Sequence, residues 1–166
     1  MTPQLTPRDV LAQLDVIRAE TLQRFAPLSQ KQLDWRPGTV RPDTGEDEWS
    51  LGEVFMHLAI DEHYLREQIA RPLLEGVKPP EGVLFLPPPP PRHTRKDVIG
   101  FWFDRARSMT RRLLEDWPNG ANLEIRHEGG LEPMNALEWL AAYGGHEAFH
   151  QRQIISLVNQ YQKRFG

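Results

Sequence analysis

The sequence predicts an all-α protein: a four-helix bundle of up-down-down-up topology, with a long proline-rich crossover between its second and third helices. Three observations carry that expectation. Four stretches place apolar residues at helical spacing, each behind its own start signal. Strand-like alternation is nearly absent. A run of five prolines, Pro87 to Pro91, separates the middle two stretches. The 166 residues amount to a single domain, 1–166, long enough to bury most of its apolar surface.

The first helix opens at Thr6-Pro7-Arg8-Asp9, a capping threonine with proline at the first helical position and an acid in the first turn. Its stripe is Val10, Leu14, Ile17, Thr21 and Phe25. The second starts at Ser50-Leu-Gly-Glu53, a capping box, with Trp49 and Val54 spaced as a hydrophobic staple. It runs through Val54, Leu58, Leu65 and Ile69 and stops before Pro72 or shortly after it. The third opens at Thr94-Arg-Lys-Asp97 and carries Val98, Trp102, Ala106, Met109, Leu113 and Trp117 as a heptad-like seam that ends at Pro118. The fourth begins between Pro133 and Asn135 and reaches about Lys163, with Trp139, Tyr143, Ile154, Leu157 and Tyr161 on one side. A short extended piece is expected at 123–126. Residues 74–93 form the crossover. A helix of about 22 residues is roughly 33 Å long, and polyproline rises ~3.1 Å per residue, so the loop can return along the bundle and start the third helix parallel to the second. Pro87 to Arg92 also fits a PxxPxR ligand for SH3-like grooves, although any proline run before an arginine would match, and a stiff spacer is the simpler reading.

Composition removes several classes of function. Hydrophobic residues make up 39% and charged residues 26%, as in an ordinary globular protein, and the net charge of −3 offers no basic field for nucleic acid. Arg105, Arg107, Arg111 and Arg112 cluster on the third helix and read as its solvated face. The absence of cysteine excludes disulfides, thiolate ligands and a thiol nucleophile borne by the protein. The first residues lack the apolar core of a signal peptide and no apolar run approaches a membrane span, so a soluble cytoplasmic protein is expected.

The most informative motif is His146-Glu-Ala-Phe-His150. Histidines four apart stack on one helix face and suit chelation of one divalent metal. The pattern matches the zinc-protease motif H-E-x-x-H, but those enzymes take a third ligand downstream, and no Asp, Glu or His follows His150. The third ligand must therefore lie upstream. At 100° per residue, His146, His150, Trp139, Tyr143 and Leu157 fall within a sector of about 60°, so both histidines share the apolar face. His57 and Asp61 lie one turn apart at the edge of the second helix's stripe, whereas His63 points away. Antiparallel packing of the second and fourth helices brings His57 opposite His146 and His150. A lone histidine on an apolar face is usually a core residue. Two at this spacing leave ring nitrogens that a metal satisfies in one step.

Trp49-Ser-Leu-Gly-Glu-Val-Phe-Met-His57-Leu and His146-Glu-Ala-Phe-His150-Gln-Arg-Gln-Ile154 resemble the two signatures of the DinB/YfiT-like superfamily, and Leu33-Asp-Trp-Arg-Pro37 resembles the family's link between its first two helices. The resemblance covers essentially the whole chain. It implies an up-down-down-up bundle, commonly dimeric, with zinc, nickel or iron held by three histidines matching His57, His146 and His150. Its members include thiol transferases acting with bacillithiol or mycothiol and the related maleylpyruvate isomerases. Two features depart from the usual pattern. Gly144-Gly145 precedes His146 inside a helix, where a kink or a close backbone approach is expected, and the crossover is unusually long.

Three neutral imidazoles leave a divalent ion its full charge and an open position, the arrangement of a catalytic site. That charge favours an anionic ligand, and in a chain without cysteine a thiolate must come from a cosubstrate. The expected chemistry is bacillithiol-type S-transfer from a small-molecule thiol to an electrophilic substrate. The alternatives are a metal-dependent small-molecule hydrolase and a non-catalytic metal- or ligand-binding bundle. Glu147 and Asp61 are the acid/base candidates. Glu147 reads equally as a solvated or helix-pairing carboxylate, and Asp61 as an acceptor that orients an imidazole. Exposed faces of the first and third helices suit pairing in a homodimer.

Overall fold

The computed structural model describes residues 5–41, 45–79, 87–128 and 132–166. Four long helices form a bundle, and among the described residues there is no strand, only isolated bridges pairing Val40 with Asp47 and His127 with Met134. The extended piece expected at 123–126 is therefore irregular up to that second bridge.

Helix α1 spans Pro7–Phe25 and begins as predicted, with Thr6 and Asp9 capping each other through backbone and side chain. Ser29 and Gln32 form a second capping box that starts an unanticipated short helix, α2, Gln30–Asp34. Leu33 of α2 is buried against the start of α3, Leu51–Leu65. A Cβ on Gly52 would lie 3.1 Å from the Leu33 carbonyl oxygen, a tight contact that favours glycine here. Ser50 and Glu53 cap α3 reciprocally.

Beyond α3 the chain continues as a π-helical turn, Arg66–Ala70, and a final helical turn, α4, Arg71–Leu74. Pro72 explains the widened turn. In a regular helix its ring would strike the carbonyl four residues back, and the π-turn relieves that clash without ending the helix.

Helix α5 spans Lys96–Glu115 and α6 spans Ala136–Phe165. The start of α5 corrects the expected cap. Thr94 Oγ1 is buried without a hydrogen-bond partner. The free backbone amide of Lys96 donates instead to Gln30 Oε1 (2.8 Å), and Gln30 Nε2 donates to the Thr94 carbonyl (3.0 Å). The predicted seam of α5 is also rotated. Val98 and Trp102 are 37% and 41% exposed, and the buried side is Ile99, Phe103, Ala106, Arg107, Thr110 and Leu114. Residues 80–86 of the crossover lie outside the described residues. Of the proline run, Pro90, the second proline of the PxxPxR match, is buried, and the exposed Pro88 and Pro91 border a groove of about 710 Å³ between α3 and α5.

Contacts between the helices set their directions. The start of α3 packs with Ile154 and Leu157, and its end with Trp139 and Leu140, so α3 and α6 run oppositely. Ile99 joins Leu51 in one cluster and Leu114 joins Leu65 in the other, so α5 runs with α3. By the same test α1 runs with α6. These two apolar clusters are separated by a layer of buried charge: Arg18 of α1, Glu62 of α3, Arg107 of α5 and Glu147 of α6. The layer lies at the level of the histidines. Among the described residues no helix is long and apolar enough to cross a membrane.

Candidate metal centre

Two helical i, i+4 pairs face each other at mid-bundle, His57 with Asp61 on α3 and His146 with His150 on α6. Antiparallel packing brings them together. One ring nitrogen from each of the three histidines lies within 4.8 Å of the other two, a spacing that could hold a metal ion. His57 Nε2 and His146 Nε2 are 3.2 Å apart. Gln153 Oε1 lies 2.8 Å from His150 Nδ1, which fixes that ring and leaves its Nε2 available. On the far side, the Trp49 ring lies 4.8 Å from the His57 ring, and the Arg41 guanidinium stands 5.3 Å from the Trp49 ring. The His146 side chain is 38% exposed, so the cluster opens to solvent along one flank.

The surroundings keep two of these rings neutral. Burial, and then the charges of His150, His146 and Arg41, push His57 down to about 3. Burial and His146 push His150 down to about 4 against an upward pull from Gln153. Neutral imidazole is the form that ligates a metal, so the donor set fits a divalent ion.

Asp61 abuts two of the three histidines. Its Oδ2 lies 2.7 Å from His146 Nε2 and 3.1 Å from His57 Nε2. Burial raises its pKa, with His146 pulling the other way, and its Oδ1 is buried without a hydrogen-bond partner. A buried polar atom left unserved in this way is a further sign of fit to a cation.

Glu147 is placed elsewhere. The reading of it as a solvated carboxylate is corrected by its complete burial. The cause is helical phase, since 100° from His146 turns it into the bundle centre rather than out to water. Its two oxygens accept from Arg18 Nε (2.8 Å), Arg18 Nη2 (3.1 Å) and Arg107 Nη2 (3.2 Å). Glu62 completes the layer, accepting from Arg18 Nη2 (2.7 Å) and Arg107 Nε (2.8 Å). Burial opposes ionisation of Glu62, but the two guanidiniums overcome it and hold the carboxyl below its usual range. Arg107, expected on a solvated face, is thus a core residue whose charge is matched by two carboxylates. His63 is exposed, as its helical phase implies.

A model of the DinB superfamily matches residues 13–154. The chain belongs to the DinB superfamily. The match spans His57, His146 and His150, and it bears out the resemblance read from the two histidine motifs. No curated protein and no solved structure matches the chain. In this DinB-superfamily protein, sequence reasoning found the histidines and Asp61 but missed Gln153, the Trp49 and Arg41 wall, and the charged layer. For the layer a signal existed, because Arg18, Glu62 and Arg107 each stand four residues after a core position, Leu14, Leu58 and Phe103.

Proposed function

We propose that this protein is a metal-dependent enzyme that transfers a small-molecule thiol, of the bacillithiol type, to an electrophilic substrate. His57, His146 and His150 would hold the divalent ion: zinc, nickel or iron. The observation that carries this reading is the convergence of three imidazoles beside an exposed flank, a donor set that leaves room for an exogenous ligand. The ion, when bound, supplies Lewis acidity that lowers the pKa of an incoming thiol.

The chain contributes position and environment. Gln153 holds His150, Trp49 walls His57, and the charged layer fixes the register of α3 against α6. The sequence has no cysteine, so the sulfur arrives with the cosubstrate. In the transfer the thiol loses its proton to solvent along the His146 flank. The sulfur then forms a bond to the electrophilic carbon while the leaving group departs with the electron pair of its own bond. Glu147, whose oxygens are held by guanidiniums, serves in this reading as framework rather than as the acid or base. A reducing cytoplasm, where small thiols stay reduced, is the compartment that suits this chemistry.

The test is thiol consumption by protein loaded in turn with zinc, nickel and iron(II), with bacillithiol as thiol and a monochlorobimane-type electrophile. Turnover that disappears in His57→Ala supports the proposal. Hydrolysis of an activated ester without thiol consumption would favour the hydrolase reading. Metal-dependent folding with no turnover of either kind would favour a non-catalytic binding bundle.

A further inference from the structure

The position of Asp61 differs from that of a carboxylate that merely orients an imidazole. An orienting partner takes the proton on the ring nitrogen turned away from the metal. Gln153 takes that outer position at His150, on Nδ1. Asp61 instead reaches the nitrogens that face inward. Its Oδ2, His146 Nε2 and His57 Nε2 form a triangle with sides of 2.7, 3.1 and 3.2 Å. Donor atoms bound to one ion at about 2.0–2.2 Å are separated by roughly 2.8–3.6 Å along the edges of an octahedron or tetrahedron. Two sides of the triangle fall in that range, and the third is a little short of it.

A second observation is independent of this triangle. Asp61 is 2% exposed, and its Oδ1 has no hydrogen-bond partner. A buried carboxylate with one oxygen left without a donor is destabilising, and a cation held by the same carboxyl group would offset that penalty. Helix geometry makes the same side chain available. Asp61 stands one turn from His57 as His150 stands one turn from His146, so the two facing helices present two donor pairs.

We propose that Asp61 is a fourth protein ligand, which makes the centre three imidazoles and one carboxylate. The inference rests on reading the histidine cluster as a metal centre. It deepens that reading by fixing the charge of the site. With Asp61 bound, a divalent ion keeps one net positive charge, and one thiolate brings the buried centre to neutrality. The site would thus take monoanionic ligands in preference to dianions, which would leave net negative charge in a poorly solvated place.

The experiment compares wild type, Asp61→Asn and His57→Ala for cobalt(II) affinity, by competition with a chromophoric chelator, and for the visible spectrum of the cobalt-loaded protein. Loss of an orienting partner lowers affinity about 10- to 100-fold. Loss of a ligand should exceed 100-fold, approach the effect of His57→Ala, and change the position and intensity of the cobalt bands. A smaller loss, or an unchanged spectrum, overturns the proposal. Circular dichroism checks folding. If Asp61→Asn fails to fold, Asp61→Glu takes its place, since it keeps the charge and moves the oxygens by one methylene. It should still shift the cobalt bands, and unchanged bands would overturn the proposal. Wild type that binds no cobalt would overturn the metal-centre reading and this inference with it. Wild type that binds while Asp61→Asn binds equally well overturns the inference alone.

Discussion

His57 and His150 are held neutral well below the pH at which histidine usually takes up a proton. This has a consequence for the metal-free protein. The unfolded chain protonates both rings as pH falls through about 6.5, whereas the folded chain resists until about 4 and about 3. Stability contributed by the neutral rings is therefore full above about pH 6.5 and is lost as pH falls toward 4. The groups facing these rings are His146, Asp61 and Arg41. Urea midpoints of metal-free protein at pH 7.5 and 5.0 should differ more for wild type than for His57→Gln; equal differences would contradict the account. The two glycines before His146 also separate at this scale. A Cβ on Gly144 would lie 3.1 Å from Ile17 Cδ1 and 3.2 Å from Leu14 Cδ2, so α1 approaches α6 closely there, while Gly145 has open space. Gly145→Ala should raise stability by about 0.5–1 kcal/mol through helix propensity. Gly144→Ala should gain less or lose, and thermal melts of both variants decide.

At the level of elements, α5 is the most instructive. Its start depends on a side chain from another helix, because Gln30 serves the Lys96 amide and the Thr94 carbonyl. Gln30→Ala should therefore cost about 1 kcal/mol, as loss of a helix cap does, and Thr94→Val should cost little capping energy. Chemical denaturation that ranks them the other way would show that Thr94 is the cap after all. This contact was not legible, since capping rules look a few residues along the chain and Gln30 is far upstream. The face of α5 was misread for another reason. Val98, Ile99, Phe101, Trp102 and Phe103 are all apolar, so periodicity alone does not fix the phase. Three of these, Val98, Phe101 and Trp102, stay more than a third exposed. By contrast, the caps at Thr6 and Ser50 and the i, i+4 histidine pair were legible because each is set within one or two turns. The charged layer escaped notice because charges in a seam look like solvated residues until their opposite partners on three other helices are known.

For the whole molecule, that layer ties all four long helices at the level of the metal centre. Removing one member leaves a buried charge unmatched. Glu147→Gln or Arg18→Met should destabilise by about 3–5 kcal/mol and weaken metal binding only as far as the register of α3 and α6 slips. Denaturant melts with and without zinc separate these effects. A homodimer is the assembly we propose, formed through exposed apolar side chains such as Val16 and Leu22 on α1 and Phe101 and Trp102 on α5. Light scattering should give the dimer mass for wild type and the monomer mass for Phe101→Glu, and a monomeric wild type would refute it. The central claim is more local: two facing helices build one metal centre from His57, His146 and His150. It is tested most directly by elemental mass spectrometry on tag-free protein never exposed to a nickel column, beside His57→Ala. The account predicts close to one metal per chain in wild type and little in the variant. Metal absent from both, even after reconstitution with zinc, nickel and iron, would contradict it and leave the histidines as core residues of a DinB-superfamily bundle.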